Sequence, residues 1–304
     1  MSKKVFIWVG VIGAGLLLLL LLANKPESKT SGSDLTPVSS LRDVHGLAVD
    51  VADSNKVWIA SHTGLHVLKN DKELFVVGTA RDDYMGFSPH PTDANTFFTS
   101  GHPSSGGNIG FQKSVDAGKT WQKVSTGANG PVDFHAMAVG QVDPNLVYGW
   151  YRGDLQRSRD GGKNWEIVNT NLSRYQVVSF VTDPKDKDTV YATTNAGLLM
   201  SKDQGKNWTQ LSEALAQDTV LGLALNPTNN QELLVDSQKL GLVKSTDGGK
   251  NWSKLDVAWA SSGVLYISYD KNKPATVYAI TQNLELYKTT DGGSSWQKVT
   301  WNNV

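Results

Sequence analysis

One short stretch recurs at a fixed interval and constrains the fold more than any other feature of the chain. Residues 245–252 read Ser-Thr-Asp-Gly-Gly-Lys-Asn-Trp, and close copies stand at 114–121, 158–165, 201–208 and 289–296. All five fit Ser/Thr-x-Asp-x-Gly-x-x-Trp. Their aspartates are Asp116, Asp160, Asp203, Asp247 and Asp291, and their tryptophans are Trp121, Trp165, Trp208, Trp252 and Trp296. The aspartates step by 44, 43, 44 and 44 residues. A period of about 20–50 residues marks a repeat architecture, in which each unit buries its apolar face on its neighbours.

Each unit reads as four short strands. The first, apolar, falls at 46–49, 86–88, 136–139, 178–181, 222–225 and 266–269. A turn follows, often Asp/Asn-Pro as at Asp143-Pro144, Asp183-Pro184 and Asn226-Pro227. The second strand, at 57–60, 96–99, 146–150, 189–193, 232–235 and 276–280, is rich in β-branched and aromatic residues. A third strand, such as 241–244 or 284–288, runs into the Asp motif, whose tryptophan opens the fourth, as at 252–255. The first unit carries a worn motif, with Asn70-Asp71 at the turn and Phe75 near the tryptophan position. Counting it gives six units over 44–301 and predicts an all-β chain, a propeller of six four-stranded blades, with seven blades the alternative. Residues 35–40 look like a further fourth strand and are expected to close the ring on the last blade, in competition with 296–301.

The motif has a local logic. Its glycines supply turn conformations, its Asp accepts hydrogen bonds from turn amides, and its Trp offers a large apolar face to the sheet. The five aspartates are therefore read as turn staples, neither catalytic nor metal-binding. These repeats resemble Asp-box (bacterial neuraminidase, BNR) repeats, found in sialidases, sortilin-type ectodomains and photosystem II assembly factors. The resemblance covers nearly the whole chain after its N-terminal segment. The segments His-Gly-Leu-Ala-Val, Ser-Gly-His-Pro and Phe-His-Ala-Met-Ala further resemble bacterial BNR proteins named glycosyl hydrolases. A shared scaffold of this kind implies a fold, not one activity.

Lys3 and Lys4 precede an unbroken apolar or small-residue run over 5–23, about long enough to span a bilayer as a helix. Cleavage after Ala23 would put Leu21 at the −3 position, which suits a signal peptidase poorly. The expected organisation is a transmembrane signal anchor at 1–23, a polar tether at 24–34 and the propeller at 35–304. The positive-inside rule places the chain in the cell membrane as a single-pass protein with its propeller on the extracytoplasmic side. The 304 residues hold no cysteine, which excludes disulfide-linked partners, thiolate metal sites and a cysteine nucleophile. Net charge is zero, and no nucleic-acid partner is indicated.

Strand order puts the turn between strands two and three, and the connection between successive units, on one face around the channel mouth. On that face the first four units carry ionisable and aromatic residues, whereas units five and six carry blander ones such as Asp218, Gln238, Lys239, Gln282 and Asn283. The candidate ligand-binding residues are His45, His62, His102, His135, Asp133, Trp150, Arg152 and Tyr175. Four imidazoles, His45, His62, His102 and His135, with Asp82, Asp83 or Asp133 nearby, point to a divalent transition metal. The alternative is that they bond loop backbone or line a wet channel. His66 and His90 fall elsewhere in the pattern. A sialidase-like glycosidase is the rival expectation: Arg42, Arg81 and Arg174, with Arg152 near, for a substrate carboxylate, Tyr84, Tyr151 or Tyr175 as nucleophile, and Asp82 or Asp83 as acid. The expected function is binding of a ligand, metal, protein or glycan at the mouth over blades one to four, with glycoside hydrolysis as the alternative.

Overall fold

The computed structural model describes residues 34–259 and 262–302. The expected membrane segment at 1–23 and the tether up to residue 33 lie outside them. Among the described residues, no helix is long and apolar enough to cross a membrane.

The described residues form six antiparallel sheets, the blades of an all-β propeller. Blade one holds β1 (Leu35–Pro37), β2 (Val44–Val49), β3 (Lys56–Ser61), β4 (Gly64–Lys69) and β5 (Glu73–Val77). Blade two holds β6 (Asp83–Pro89), β7 (Phe97–His102), β8 (Phe111–Ser114) and β9 (Gln122–Ser125). Blade three holds β10 (Ala136–Val139), β11 (Val147–Tyr151), β12 (Asp154–Ser158) and β13 (Glu166–Val168). Blade four comprises β14 (Val177–Thr182), β15 (Val190–Thr194), β16 (Gly197–Ser201) and β17 (Thr209–Gln210). Blade five comprises β18 (Val220–Asn226), β19 (Asn229–Ser237), β20 (Gly241–Ser245) and β21 (Ser253–Lys254). Blade six comprises β22 (Val264–Tyr269), β23 (Val277–Thr281), β24 (Leu286–Thr289) and β25 (Gln297–Lys298). The first strand of each repeat unit lines a central channel of about 250 Å³, with His45 and His135 at one end and Gln141 and Lys271 towards the other.

Two expectations are corrected. Residues 35–40 do not close the ring on blade six. Instead β1 pairs with β5, Leu35 opposite Val77, as a fifth outer strand of blade one. Blade six fills its own outer edge with β25, and the edge left open nearby is that of β5. Leu284 is not in a third strand. It occupies the preceding turn with φ +62°, and β24 begins at Leu286.

Among the described residues the ring therefore closes without strand exchange. Blades six and one share a core in which Tyr278, Ile280, Leu286 and Val299 meet Val44, Ile59, Leu68 and Leu74. The worn turn of blade one supplies the polar contacts of the seam. Asp71 accepts from Tyr278 Oη at 2.7 Å and pairs with Lys288 Nζ at 2.6 Å. Trp301 Nε1 donates to Ser39 O, and the Asn302 amide donates to Lys72 O.

In the five intact motifs the Asp staples its own turn. Asp160 Oδ1 accepts from Ser158 Oγ at 2.8 Å and from the Asn164 amide at 2.9 Å, while Oδ2 accepts from Asn164 Nδ2 at 2.7 Å. The Asn164 amide, the Asn164 side chain and Ser158 hold the Asp160 carboxyl down at about 2. The invariant glycine has a second use. A Cβ at Gly162 would overlap the ring of Phe111 in blade two, and one at Gly118 would overlap Leu65 in blade one. At Gly205 it would meet Leu155 of blade three at 2.7 Å. Each motif is thus a latch pressed onto the blade before it.

Gly161 and Gly162 separate packing from backbone conformation, because both have positive φ (+73° and +87°) but only Gly162 touches the neighbouring core. Gly161→Ala is expected to cost about 1 kcal/mol, the left-handed backbone penalty alone. Gly162→Ala adds an overpacking cost of roughly 1–3 kcal/mol. Equal losses in urea unfolding would refute the latch.

Candidate metal centre

The repeat delivers the same position three times. Asp43, Asp83 and Asp133 each stand one residue before a buried anchor, Val44, Tyr84 and Phe134 respectively. The anchors plug into the blade cores, which fixes each carboxylate at the end of a channel-lining strand. The β2–β3 register sets Val44 opposite Ser61 and Gly46 opposite Ala60, so His45 is the extra residue of a β-bulge. Bulges re-aim a side chain at the end of a strand. In blade two the residue in that place is Met85, and in blade three His135 stands just before β10. His62 follows β3 and His102 ends β7. The His62 amide donates to Asp43 O at 3.2 Å, and His102 lies directly opposite Asp83 across β6 and β7. That pairing requires glycine at position 101, where φ is +147° and a Cβ would overlap Asp83 O.

The four expected histidines do not form one set but fall into two pairs, and each meets a carboxylate. His45 Nε2 lies 3.6 Å from Asp83 Oδ1 and 4.0 Å from Asp43 Oδ1. His62 Nε2 lies 3.2 Å from Asp83 Oδ2 and 3.4 Å from Asp43 Oδ2. The rings of His45 and His62 are 4.5 Å apart and tilted by 30°. His102 and His135 both address Asp133 Oδ2, at 2.9 and 2.7 Å. Two donor groups result, Asp43 with His45 and His62, and Asp133 with His102 and His135. Within each, the donor atoms lie within 4.8 Å of one another. Ser100, fully buried in blade two, braces Asp133 from both sides. Its hydroxyl accepts from the Phe134 amide at 2.9 Å and donates to Val132 O at 3.4 Å.

The electrostatics favour a cation. His45 is held neutral, its pKa lowered to about 4 by burial and then by the neighbouring His62. Burial also pushes the Asp83 carboxyl up. Three buried atoms in the cluster have no hydrogen-bond partner: His45 Nε2, Asp83 Oδ1 and Asp133 Oδ1. Leaving such an atom unsatisfied costs roughly 1–3 kcal/mol. His102 sharpens the point. Its Nδ1 lies 2.7 Å from Gly107 O, and a carbonyl only accepts, so Nδ1 carries the hydrogen. Nε2 of the neutral ring then presents a lone pair to Asp133 Oδ2. Two acceptors at that separation repel unless a proton or a metal ion lies between them.

The other candidates are dispersed. Arg42 is exposed, and Arg81 Nη1 bonds back to Gly78 O and Ala80 O. Arg152 and Arg174 stack on their neighbours Tyr151 and Tyr175, each at 5.0 Å. The arginines thus share no partner. Tyr84 is fully buried between blades one and two, with its ring 4.9 Å from Trp121. Asp82 accepts from the Ser104 amide at 3.1 Å. Trp150 and Tyr175 pack on the core between blades three and four. His66 is buried within β4, and His90 Nδ1 accepts the Asp93 amide in a turn. The unforeseen donor is Asp43. Its signal was the triplet Asp-x-His, present at both 43–45 and 133–135.

Residues 243–254 match the BNR/Asp-box repeat, and residues 153–242 match the Sortilin-Vps10 family (sortilin, neurotensin receptor 3). The chain is an Asp-box repeat β-propeller. No curated protein matches it by sequence. Solved structures share the fold of this Asp-box propeller at low identity. The GH74 xyloglucanase of Xanthomonas campestris is 16% identical with a TM-score of 0.60, and the match covers 87% of this chain but 46% of the enzyme. The present chain thus spans about half the length of that enzyme. YCF48 from Cyanidioschyzon merolae is 15% identical with a TM-score of 0.54, and 87% of each chain is covered. A structure of YCF48 bound to D1 peptide aligns at 14% identity and a TM-score of 0.55, covering 88% of this chain and 86% of that one.

His135 offers a direct check on the geometry in metal-free protein. The hydrogen bond to Asp133 raises its pKa against the opposing effect of burial. A raised folded-state value means that this bond stabilises the fold fully below about 6.5, the unfolded value, and that the contribution fades as pH rises through the folded value. With chelator present, NMR is expected to show His135 titrating above 6.5, and Asp133→Ala to move it down. An unchanged titration would show that the pair does not form.

Proposed function

We propose that this chain is a membrane-tethered, extracytoplasmic propeller that binds a divalent transition-metal ion at its channel mouth, over blades one to three. The observation that carries the reading is the convergence of His45, His62, His102 and His135 on Asp43, Asp83 and Asp133, with three buried polar atoms left unpartnered. Imidazole nitrogen and carboxylate oxygen, without thiolate, suit zinc, nickel or copper(II). The neutral form of His45 is the metal-ligating form. The tether rests on Lys3, Lys4 and the apolar run that follows them. The hydrolase alternative draws on the GH74 likeness in fold. It has no comparable convergence, since the arginines are separately engaged and Tyr84 is buried.

Calorimetric titration of the purified protein with zinc, nickel and copper tests this. Binding with a dissociation constant of about 1 µM or tighter is expected for at least one metal. Combining His45→Ala with His135→Ala should weaken it by about tenfold or more. Absence of binding, or binding indifferent to both substitutions, would sink the proposal. Turnover of aryl glycosides that is lost in Arg81→Ala would favour the hydrolase.

A further inference from the structure

We infer that the channel mouth takes two metal ions of unlike kind, one coordinatively filled by the protein and one with a position open to an external anion or water. The inference rests on the metal-binding reading above and extends it. The donors fall into two groups, and no single ion reaches both. Metal–donor bonds of about 2 Å require the ligands of one ion to lie within about 4 Å of each other. Each group has donor atoms within 4.8 Å of one another, but the two groups do not merge into one. Each supplies two imidazoles and a carboxylate.

Asp83 makes the two groups unlike. It stands outside the first group as such, but its Oδ1 lies 3.6 Å from His45 Nε2 and its Oδ2 3.2 Å from His62 Nε2, which puts a fourth protein donor within reach of that group. Four donors complete a tetrahedral shell, the arrangement of structural zinc. The second group has three donors, His102, His135 and Asp133, and an ion bound by three protein ligands keeps one position for water or substrate. Of the four imidazoles only His45 is nearly enclosed, with 12% of its side chain facing solvent, against 43% for His62, 40% for His102 and 62% for His135. The support beneath the open group is rigid. Asp133 is more than nine-tenths buried, and its Oδ1 has no partner. The Gly107 carbonyl fixes the His102 tautomer with Nε2 towards the site, the usual outer-shell device for a metal-bound imidazole. Asp83 joins the halves, with its carboxylate on the first and its backbone paired to His102 of the second.

The experiment counts ions. Purified full-length protein is stripped, reloaded with zinc and measured by elemental analysis, then reloaded with cobalt(II) for visible spectroscopy with azide as the external anion. Two zinc ions per chain are expected. Asp43→Ala with His62→Ala should leave one ion and keep the azide-induced change in the cobalt bands. His102→Ala with His135→Ala should leave one ion and abolish that change. One ion in the unmodified protein, lost in either pair of variants, would overturn the two-ion inference and leave metal binding standing. No ion in the unmodified protein would overturn both. The unmodified stoichiometry decides the number even if a variant fails to fold.

Discussion

The structure depends on one recurring contact, the Asp-motif turn pressed against the core of the preceding blade. The side-chain staple makes the turn rigid, and the glycine beside it lets the backbone approach Leu65, Phe111 or Leu155 without an intervening Cβ. A blade is a small sheet with little core of its own, so its stability comes from burial against its neighbours. The motif therefore governs spacing between blades as much as geometry within one. In the first unit, where the motif is worn, Asp71 reaches to Lys288 and Tyr278 of blade six across the seam.

The candidate centre is made by small departures from this regularity. In blades one to three the residue before the buried anchor is aspartate, and in blades one and two a histidine stands at or just past the end of the second strand. Strand order then brings the aspartate of one blade against the histidine of the blade before it. Asp83 faces His62 and Asp133 faces His102. The site is thus a product of the repeat, and a new donor at a repeated position arrives already placed. In blades four to six the corresponding strands begin without these groups.

The period of about 44 residues made the blade count legible, since a regular repeat leaves few ways to arrange four strands per unit. That the four histidines share one end of the channel was legible for the same reason, since repeat position maps directly onto place in the ring, but their division into two pairs was not. Side-chain direction was harder to read. Tyr84 follows Asp83 by one residue, and in a strand that single step turns a side chain to the opposite face, so one enters the cluster and the other the core. The bulge at His45 shifts this alternation locally, and nothing in the residue types announces it. The arginines share connections but not partners, because long side chains satisfy themselves on nearby carbonyls and rings. The placement of β1 was misread because a strand-like segment pairs with whichever edge is free, and the periodicity says nothing about edges.

The absence of strand exchange gives the ring a preferred place to open. A propeller closed by a shared sheet must break a ladder of backbone bonds before its first and last blades can separate. Here the boundary between blades six and one is chiefly side-chain packing, the Asp71 contacts and the tie from Asn302 to Lys72. Blade one stands beside that boundary and carries His45, His62 and Asp43, whereas Asp83 and Asp133, with His102 and His135, stand on blades two and three. Any loosening of the seam is therefore felt first where blade one meets blade two, at the contacts of His45 and His62 with Asp83. Ring closure thereby steadies the blade that carries the first donor group.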